Sequence, residues 1–422
     1  MRHHHSLQRW VLTNGITLIV AENAAADLVA GRIFLKKAGA CWDSLSRAGL
    51  SQLLATLIMK GTINHSALAI AQIVESLGAY LGSEAASDYW TLNLKTVTAD
   101  FPLILALAAE ILRLPTFPSS ELSLAKHQTR QSLQSQRSQP FNLAFQQLRQ
   151  AMYPQHPYGI SLLGTEESLA ALSRQDLLDY HQAYFRPDNL VISLSGNLKA
   201  EEAKDLVASV FQDWLVPPQS LVQPQFAPLL SRPQTCVTHQ NSQQSIIMLG
   251  YLSAGVKSPD YAPLKLINTY LGAGLSSRLF VELREKQGLA YDVSAFYPTR
   301  LQSSQFVIYL GTAPEKTAIA LRALEAEAQR LQQESLTDFE MMAAQNKLLG
   351  QYALGKQTNG EIAHLFGWYE ALGLGIAFDT LFQEQVQQLT PAYIQQVAQS
   401  YFQKPYLSLV GPPSALADLE TS

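Results

Sequence analysis

Along the chain, stretches with apolar residues at i, i+3, i+4 and i+7 are interleaved with shorter runs of continuous or alternating apolar residues. These are the periods of a one-faced helix and of a strand. Helical spacing predicts helices over residues 44–60, 66–78, 99–113, 119–150, 165–185 and 200–212 of the first half. Strand spacing is clearest in WVLTNGITLIVAEN, with its Asn-Gly turn signal, and in AGRIFLKKA. Strands followed by clustered helices favour an α+β fold: a largely antiparallel mixed sheet with helices packed on one face, rather than a doubly wound parallel sheet.

The pattern occurs twice. LSRQDLLDYHQAYF (Leu172–Phe185) recurs as LTPAYIQQVAQSYF (Leu389–Phe402), 217 positions later. Each copy opens on Leu plus a hydroxyl residue suited to cap a helix, closes on Tyr-Phe, and is followed by an apolar strand-like run, NLVISLSGNL or YLSLVGP. A helix-then-strand ending at constant offset predicts two homologous domains. Between them lies VPPQSLVQPQFAPLLSRPQ (residues 216–234), whose five prolines fix φ and remove backbone donors. The expected organisation is therefore a first domain at 1–216, a Pro-rich linker at 217–232 and a second domain at 233–422.

Composition narrows the function classes. A chain of 422 residues with 47% hydrophobic positions can bury two cores. A formal net charge of −4 without Lys/Arg runs gives no pull towards nucleic acid or an anionic membrane. Cys41 and Cys236 stand in no metal or redox spacing and read as buried thiols. The most apolar window, FPLILALAAEILRL, is interrupted by Glu110 and Arg113 and reads as a buried helix, not a membrane span. MRHHHSLQ has no apolar signal-peptide core, and its His3–His5 tract is weak metal evidence at a terminus. The expectation is a soluble, cytoplasmic protein.

Familiar catalytic arrangements are missing. There is no Gly-x-Ser-x-Gly; LGAGLSSRL lacks the third glycine of a dinucleotide fingerprint and the lysine of a phosphate loop. His156, His181 and His239 are isolated and read as hydrogen-bonding structural residues. One helix poses a question. In GLSQLLATLIMKGT (Gly49–Thr62), Leu50, Leu53, Leu54, Leu57 and Ile58 form a core stripe, whereas Gln52, Ala55, Thr56 and Met59 share the opposite side. Such a face gathers side chains on one target, yet these residue types bind no metal and move no proton.

Several collinear stretches resemble the pitrilysin family of zinc peptidases, in its mitochondrial-processing-peptidase branch. HPYGISLLGTEESLAALSRQDLLDYHQAYFRPDNLVISLSGNL is similar to that branch's long signature in the first domain, and GLSSRLFVELREKQGLAYDVSAFY to its hallmark in the second. GLSQLLATLIMKGT stands where the family carries its inverted zinc motif, His-x-x-Glu-His. The resemblance places Gln52 and Thr56 at the two zinc histidines, Ala55 at the catalytic glutamate, and Gln131 and Ser132 at the third, carboxylate ligand. No carboxylate occurs between Glu121 and Glu166. The resemblance therefore implies a chain that holds no zinc and does not hydrolyse peptides alone.

It also implies a retained half-site. Arg284 and Tyr291 in LREKQGLAY match the family's Arg and Tyr, which help hold the scissile peptide: Arg284 as donor to a carbonyl or carboxylate, Tyr291 to the developing oxyanion. Gly82 and Ser83 replace the Asn-Ala pair that opens the family's peptide-accepting strand. The family includes paired assemblies in which one chain carries zinc and the other the Arg/Tyr pair. The reading that follows is a non-catalytic subunit of a heterodimeric zinc metallopeptidase, forming a clamshell chamber with a zinc-bearing His-x-x-Glu-His partner and enclosing unfolded peptides. The alternative is an inert structural or peptide-binding protein resembling respiratory-complex core subunits.

Overall fold

The computed structural model describes residues 7–419; the His3–His5 tract lies outside the described residues. Two compact units emerge. Unit 1 comprises residues 1–133, 161–225 and 353–379, and unit 2 comprises 134–160, 226–352 and 380–422. The helices of the described residues include α1 Leu50–Leu57, α2 Ala67–Ser76, α3 Phe101–Arg113, α4 Ser119–Ser138, α5 Pro140–Met152, α6 Glu166–Ala171 and α7 Arg174–Tyr184; then α8 Ala200–Phe211, α9 Tyr261–Gly272, α10 Thr317–Gln333, α11 Asp338–Leu354, α12 Asn359–Ala371, α13 Phe378–Gln388 and α14 Pro391–Tyr401.

Unit 1 is built on a six-stranded sheet of β1 (Leu7–Val11), β2 (Thr17–Glu22), β3 (Leu28–Leu35), β4 (Tyr80–Ala85), β5 (Trp90–Val97) and β6 (Leu190–Gly196). Its order is β1-β2-β6-β3-β5-β4, with only β2 and β6 parallel. The period-2 alternation sorts the side chains. Leu18, Val20, Ile33, Leu35, Ile192 and Leu194 face the main core with α1, α3 and α7. Ile19, Phe34 and Val191 face the other way and are covered from α12 by Ala371, Phe366 and Trp368.

Unit 2 repeats the plan with β7 (Thr235–His239), β8 (Ser245–Ser253), β9 (Asp292–Phe296), β10 (Ser304–Thr312) and β11 (Tyr406–Gly411), in the order β7-β11-β8-β10-β9. Here too one pair, β7 with β11, is parallel and the others are antiparallel. Strand for strand this is β2-β6-β3-β5-β4. The duplicated ending is also physical: α7 and α14 lie at the offset read from the sequence, capped by the side chains of Ser173 and Thr390, which accept from the amides of Asp176 and Tyr393. The fold is α+β, with two mixed, largely antiparallel sheets.

The units are not the two halves of the sequence. α12, from the second half, packs on β3 and β6 of unit 1, and α5, from the first half, packs on β11 and β8 of unit 2. Each compact unit thus draws segments from both sides of residue 216. Residues 216–234 contain no helix or strand. The stretch 119–150, expected as one helix, is two: Pro140 cannot continue α4 and instead sits in the first turn of α5. The stretch 165–185 is likewise cut in two by capping boxes at Thr165 and Ser173. Among the described residues no helix is long and apolar enough to cross a membrane.

Candidate functional site

The helix α1 starts at Gly49, which adopts φ +93, and a Cβ added there would lie 2.7 Å from the Leu163 carbonyl oxygen, so a side chain has no room. Its free amides are met by Asp43: the Ser51 amide and hydroxyl donate to the carboxylate at 3.2 and 3.0 Å. Burial pushes the Asp43 carboxyl up to about 7, against the hydrogen bonds from Ser51, Gly49 and Leu50. Leu50, Leu53, Leu54, Leu57 and Ile58 are all buried, as the apolar stripe requires.

The opposite side is less open than its spacing suggests. Gln52 is half-buried, Thr56 is exposed, and Ala55 is 3% exposed. The Thr56 hydroxyl turns back to the Gln52 carbonyl at 3.1 Å, and the Ala55 carbonyl accepts the Ser83 hydroxyl at 2.5 Å. Gln131 and Ser132 are exposed on α4, with the Ser132 hydroxyl bonded to the Gln128 carbonyl at 3.1 Å.

Zinc requires imidazole, thiolate or carboxylate donors. Two amides, a methyl group and two hydroxyls already turned to backbone carbonyls do not fit the ion. Among the described residues no three His, Cys, Asp or Glu side chains gather in a metal-holding group. The isolated histidines are occupied otherwise. His181 Nε2 meets the Leu112 carbonyl at 2.8 Å, and His156 Nδ1 accepts the Tyr158 amide at 3.1 Å. Burial lowers both to about 4, so both rings are neutral at pH 7.

Ser83 lies in β4, which pairs only with β5 and is an edge of the unit 1 sheet. Strand character here begins at Tyr80. Gly82, Ser83 and Glu84 have low strand propensity, and pairing with β5 overrides it. A further feature escaped pattern reading: a cleft of about 600 Å³ on the α12 side of this sheet, lined by Arg32, Lys95, Asn23, Gln357, Asn359 and His364. Its one sequence signal is a charged Arg32 in the middle of the apolar strand AGRIFL.

Arg284 and Tyr291 belong to unit 2. Arg284 is on a wide, π-type helical turn, Phe280–Lys286, which ends at Gly288 with φ +59. Its guanidinium is exposed and lies 4.9 Å from the Phe280 ring centroid. Tyr291 immediately precedes β9, its amide donating to the Gly311 carbonyl at 2.8 Å, and its side chain is 61% exposed. Neither side chain forms a hydrogen bond or ion pair with any described residue. They are two free donors on the segment leading into an edge strand.

Fold and sequence together define a two-domain α+β protein of peptidase type. Comparison with known proteins makes that specific: the chain belongs to peptidase family M16. Residues 18–166 match the family's insulinase model, and residues 171–348 match the model of the M16 inactive domain. The chain is 25% identical over 360 residues to the "uncharacterized zinc protease YmxG" of Bacillus subtilis, covering 85% of this chain and 86% of that protein. An uncharacterized zinc protease of Streptomyces coelicolor is 24% identical over 372 residues, with 86% and 81% covered. The crystal structure of a peptidase M16 inactive domain from Pseudomonas fluorescens superposes with a TM-score of 0.89 at 26% identity, covering 96% of this chain and 98% of that one. A Helicobacter pylori protease shares the fold, with a TM-score of 0.91 at 20% identity over 97% and 100% of the two chains.

Proposed function

We propose that this chain is the zinc-lacking subunit of a two-chain zinc metallopeptidase, and that it lends Arg284 and Tyr291 to the site of a homologous partner carrying His-x-x-Glu-His and the zinc. The observation that carries the reading is a contrast. The positions that would bind metal hold Gln52, Ala55, Thr56, Gln131 and Ser132, whereas Arg284 and Tyr291 are kept, exposed and uncommitted. An exposed arginine with no ion-pair partner among the described residues suits a substrate carbonyl or carboxylate, and a free phenol suits an oxyanion that develops during peptide hydrolysis. β4 adds support, because an extended peptide can join such an edge through main-chain bonds.

The test is to purify this chain alone and with a zinc-bearing homologue, then assay cleavage of an unstructured peptide. The chain alone is expected to be inactive, the pair active, and Arg284→Ala plus Tyr291→Phe to lower the pair's kcat by about 100-fold or more. Zinc-dependent turnover by the isolated chain defeats the proposal. Undiminished activity of the doubly substituted pair defeats it as well, and leaves the inert structural or peptide-binding role as the better reading.

A further inference from the structure

A second group of uncommitted donors lies elsewhere in unit 2, where α5 ends and the β9–β10 loop passes. Arg149 stacks on Phe145, with its guanidinium carbon 4.7 Å from the ring centroid, and Arg300 stacks on Tyr158 at 4.9 Å. Tyr158 in turn contacts the His156 ring at 4.6 Å, and His156 contacts Phe226 at 4.4 Å. His156 is only 3% exposed. Because its Nδ1 accepts the Tyr158 amide, the proton of the neutral ring is on Nε2.

Three buried N–H groups in this cluster have no acceptor: Arg149 Nε, His156 Nε2 and Arg300 Nε. Among the described residues, the one hydrogen bond from either guanidinium is Arg149 to the Ile160 carbonyl at 3.4 Å. No described carboxylate forms an ion pair with either arginine. Burial and the neighbouring Arg300 charge push Arg149 down to about 10 and His156 down to about 4. The cluster is thus rich in donors, positively charged, held rigid by aromatic stacking, and uncompensated. Water can accept the orphan protons but cannot neutralise two adjacent guanidiniums. An oxyanion does both.

We propose that Arg149, His156 and Arg300 form an oxyanion site that takes a carboxylate of a peptide ligand. The oxyanion chemistry stands on these residues alone; the peptide as its source rests on the proposed function above. The planar fork of each arginine matches a carboxylate with two parallel hydrogen bonds, and His156 adds a third donor through Nε2.

The experiment uses the isolated full chain without a zinc-bearing partner, so its outcome is independent of the peptidase assay. Isothermal titration is run with inorganic phosphate, with an unstructured peptide bearing a free C-terminal acid, and with the same peptide amidated. Wild type is compared with Arg300→Gln, with Arg300→Lys, and with Lys404→Gln as a matched loss of one exposed charge. Phosphate and the acid peptide are expected to bind wild type and Lys404→Gln alike, and to bind Arg300→Gln at least about tenfold more weakly. Arg300→Lys, which keeps the charge but not the fork, falls between them and serves if the glutamine variant does not fold. Loss of binding on amidation assigns the C-terminal carboxylate, and retention by an acid-containing amidated peptide assigns a side-chain carboxylate; both support the site. Absence of binding by wild type, or equal binding by Arg300→Gln and wild type, overturns it.

Discussion

The Ser83 hydroxyl donates to the Ala55 carbonyl oxygen at 2.5 Å, joining edge strand β4 to the last turn of α1. The carbonyls of a helix's last turn have no amide of their own helix to accept from. Ser83 therefore acts as a side-chain cap from another element. The Ala55 methyl itself packs into the main core of unit 1, which is why a position on the apparently polar side of α1 is buried.

Replacing Ser83 by Ala leaves the Ala55 carbonyl short of a donor in a half-buried place. The expected cost is about 1–2 kcal/mol, read as a lower urea midpoint with unchanged slope. Ser83→Thr keeps the hydroxyl and should lose less. Equal midpoints for wild type and Ser83→Ala would show that water meets the carbonyl equally well.

The burial of Ala55 governs any attempt to rebuild a metal site on α1. Ala55→Glu places an unpaired carboxylate at a position 3% exposed and is expected to destabilise by about 3 kcal/mol. Gln52→His with Thr56→His changes only a half-buried and an exposed position and should shift stability by less than about 0.5 kcal/mol. With two imidazoles at i and i+4, the double variant should gain a zinc-dependent rise in Tm at pH 7.5 that disappears at pH 5, where the rings are protonated. The thermal scan with and without zinc checks all three.

How much of this was legible beforehand varies by residue. Leu50 to Ile58 could be read from spacing alone, because one helix against one core obeys one period. The split at Gln139–Pro140 was written in the sequence, since Pro140 cannot continue a helix. β4 was not, because Gly82, Ser83 and Glu84 become a strand only through pairing with β5. The exchange of α5 and α12 between units was also hidden: buried Ile362, Ala363, Gly367, Tyr369 and Ala371 say that α12 is covered, not which sheet covers it. The cluster of Arg149, His156 and Arg300 brings together two loops and a helix end about 150 positions apart, a proximity no local pattern encodes.

Arg284 and Tyr291 should matter little to stability. Both side chains are exposed and lack hydrogen-bond or ion-pair partners among the described residues. Arg284→Ala and Tyr291→Phe are each expected to change the unfolding free energy by less than about 0.5 kcal/mol. A large fall in Tm for either would show a structural role and would confound the activity assay of the pair.

His181 is one of three histidines, with His156 and His364, that burial holds at about 4 and through which acid should act. Burial holds its ring at about 4, below the ordinary value of about 6.5. Between those values the unfolded chain binds more protons than the folded one, so stability falls as pH drops through about 6.5 towards 4. His181→Gln retains a donor for the Leu112 carbonyl without titrating. It should remove up to about 3 kcal/mol of the difference in stability between pH 7 and pH 4. Asp43, held near 7 by burial, works in the opposite sense, losing stability as pH rises from about 4 to 7. The decisive quantity is therefore the difference between the wild-type and His181→Gln profiles from denaturant titrations across that range. Parallel profiles would remove His181 as the cause.

The packing of α12 on the unit 1 sheet depends on one small residue. A Cβ added at Gly367 would lie 2.5 Å from Phe34 Cε2 and 2.8 Å from Ser193 Cβ, and Phe34 is fully buried with no room to turn aside. Gly367→Ala therefore forces the helix off the sheet, at an expected cost of about 2 kcal/mol, the range for overpacking a tight contact. Gly350, in the interior of α11, supplies the control, because nothing lies within 4 Å of its added Cβ. There the same substitution should stabilise by about 0.5–1 kcal/mol through helix propensity and a less flexible unfolded chain. Denaturation midpoints moving in opposite directions for the two Gly→Ala variants would establish close approach as the reason for Gly367. Movement in the same direction would show that α12 does not depend on that contact.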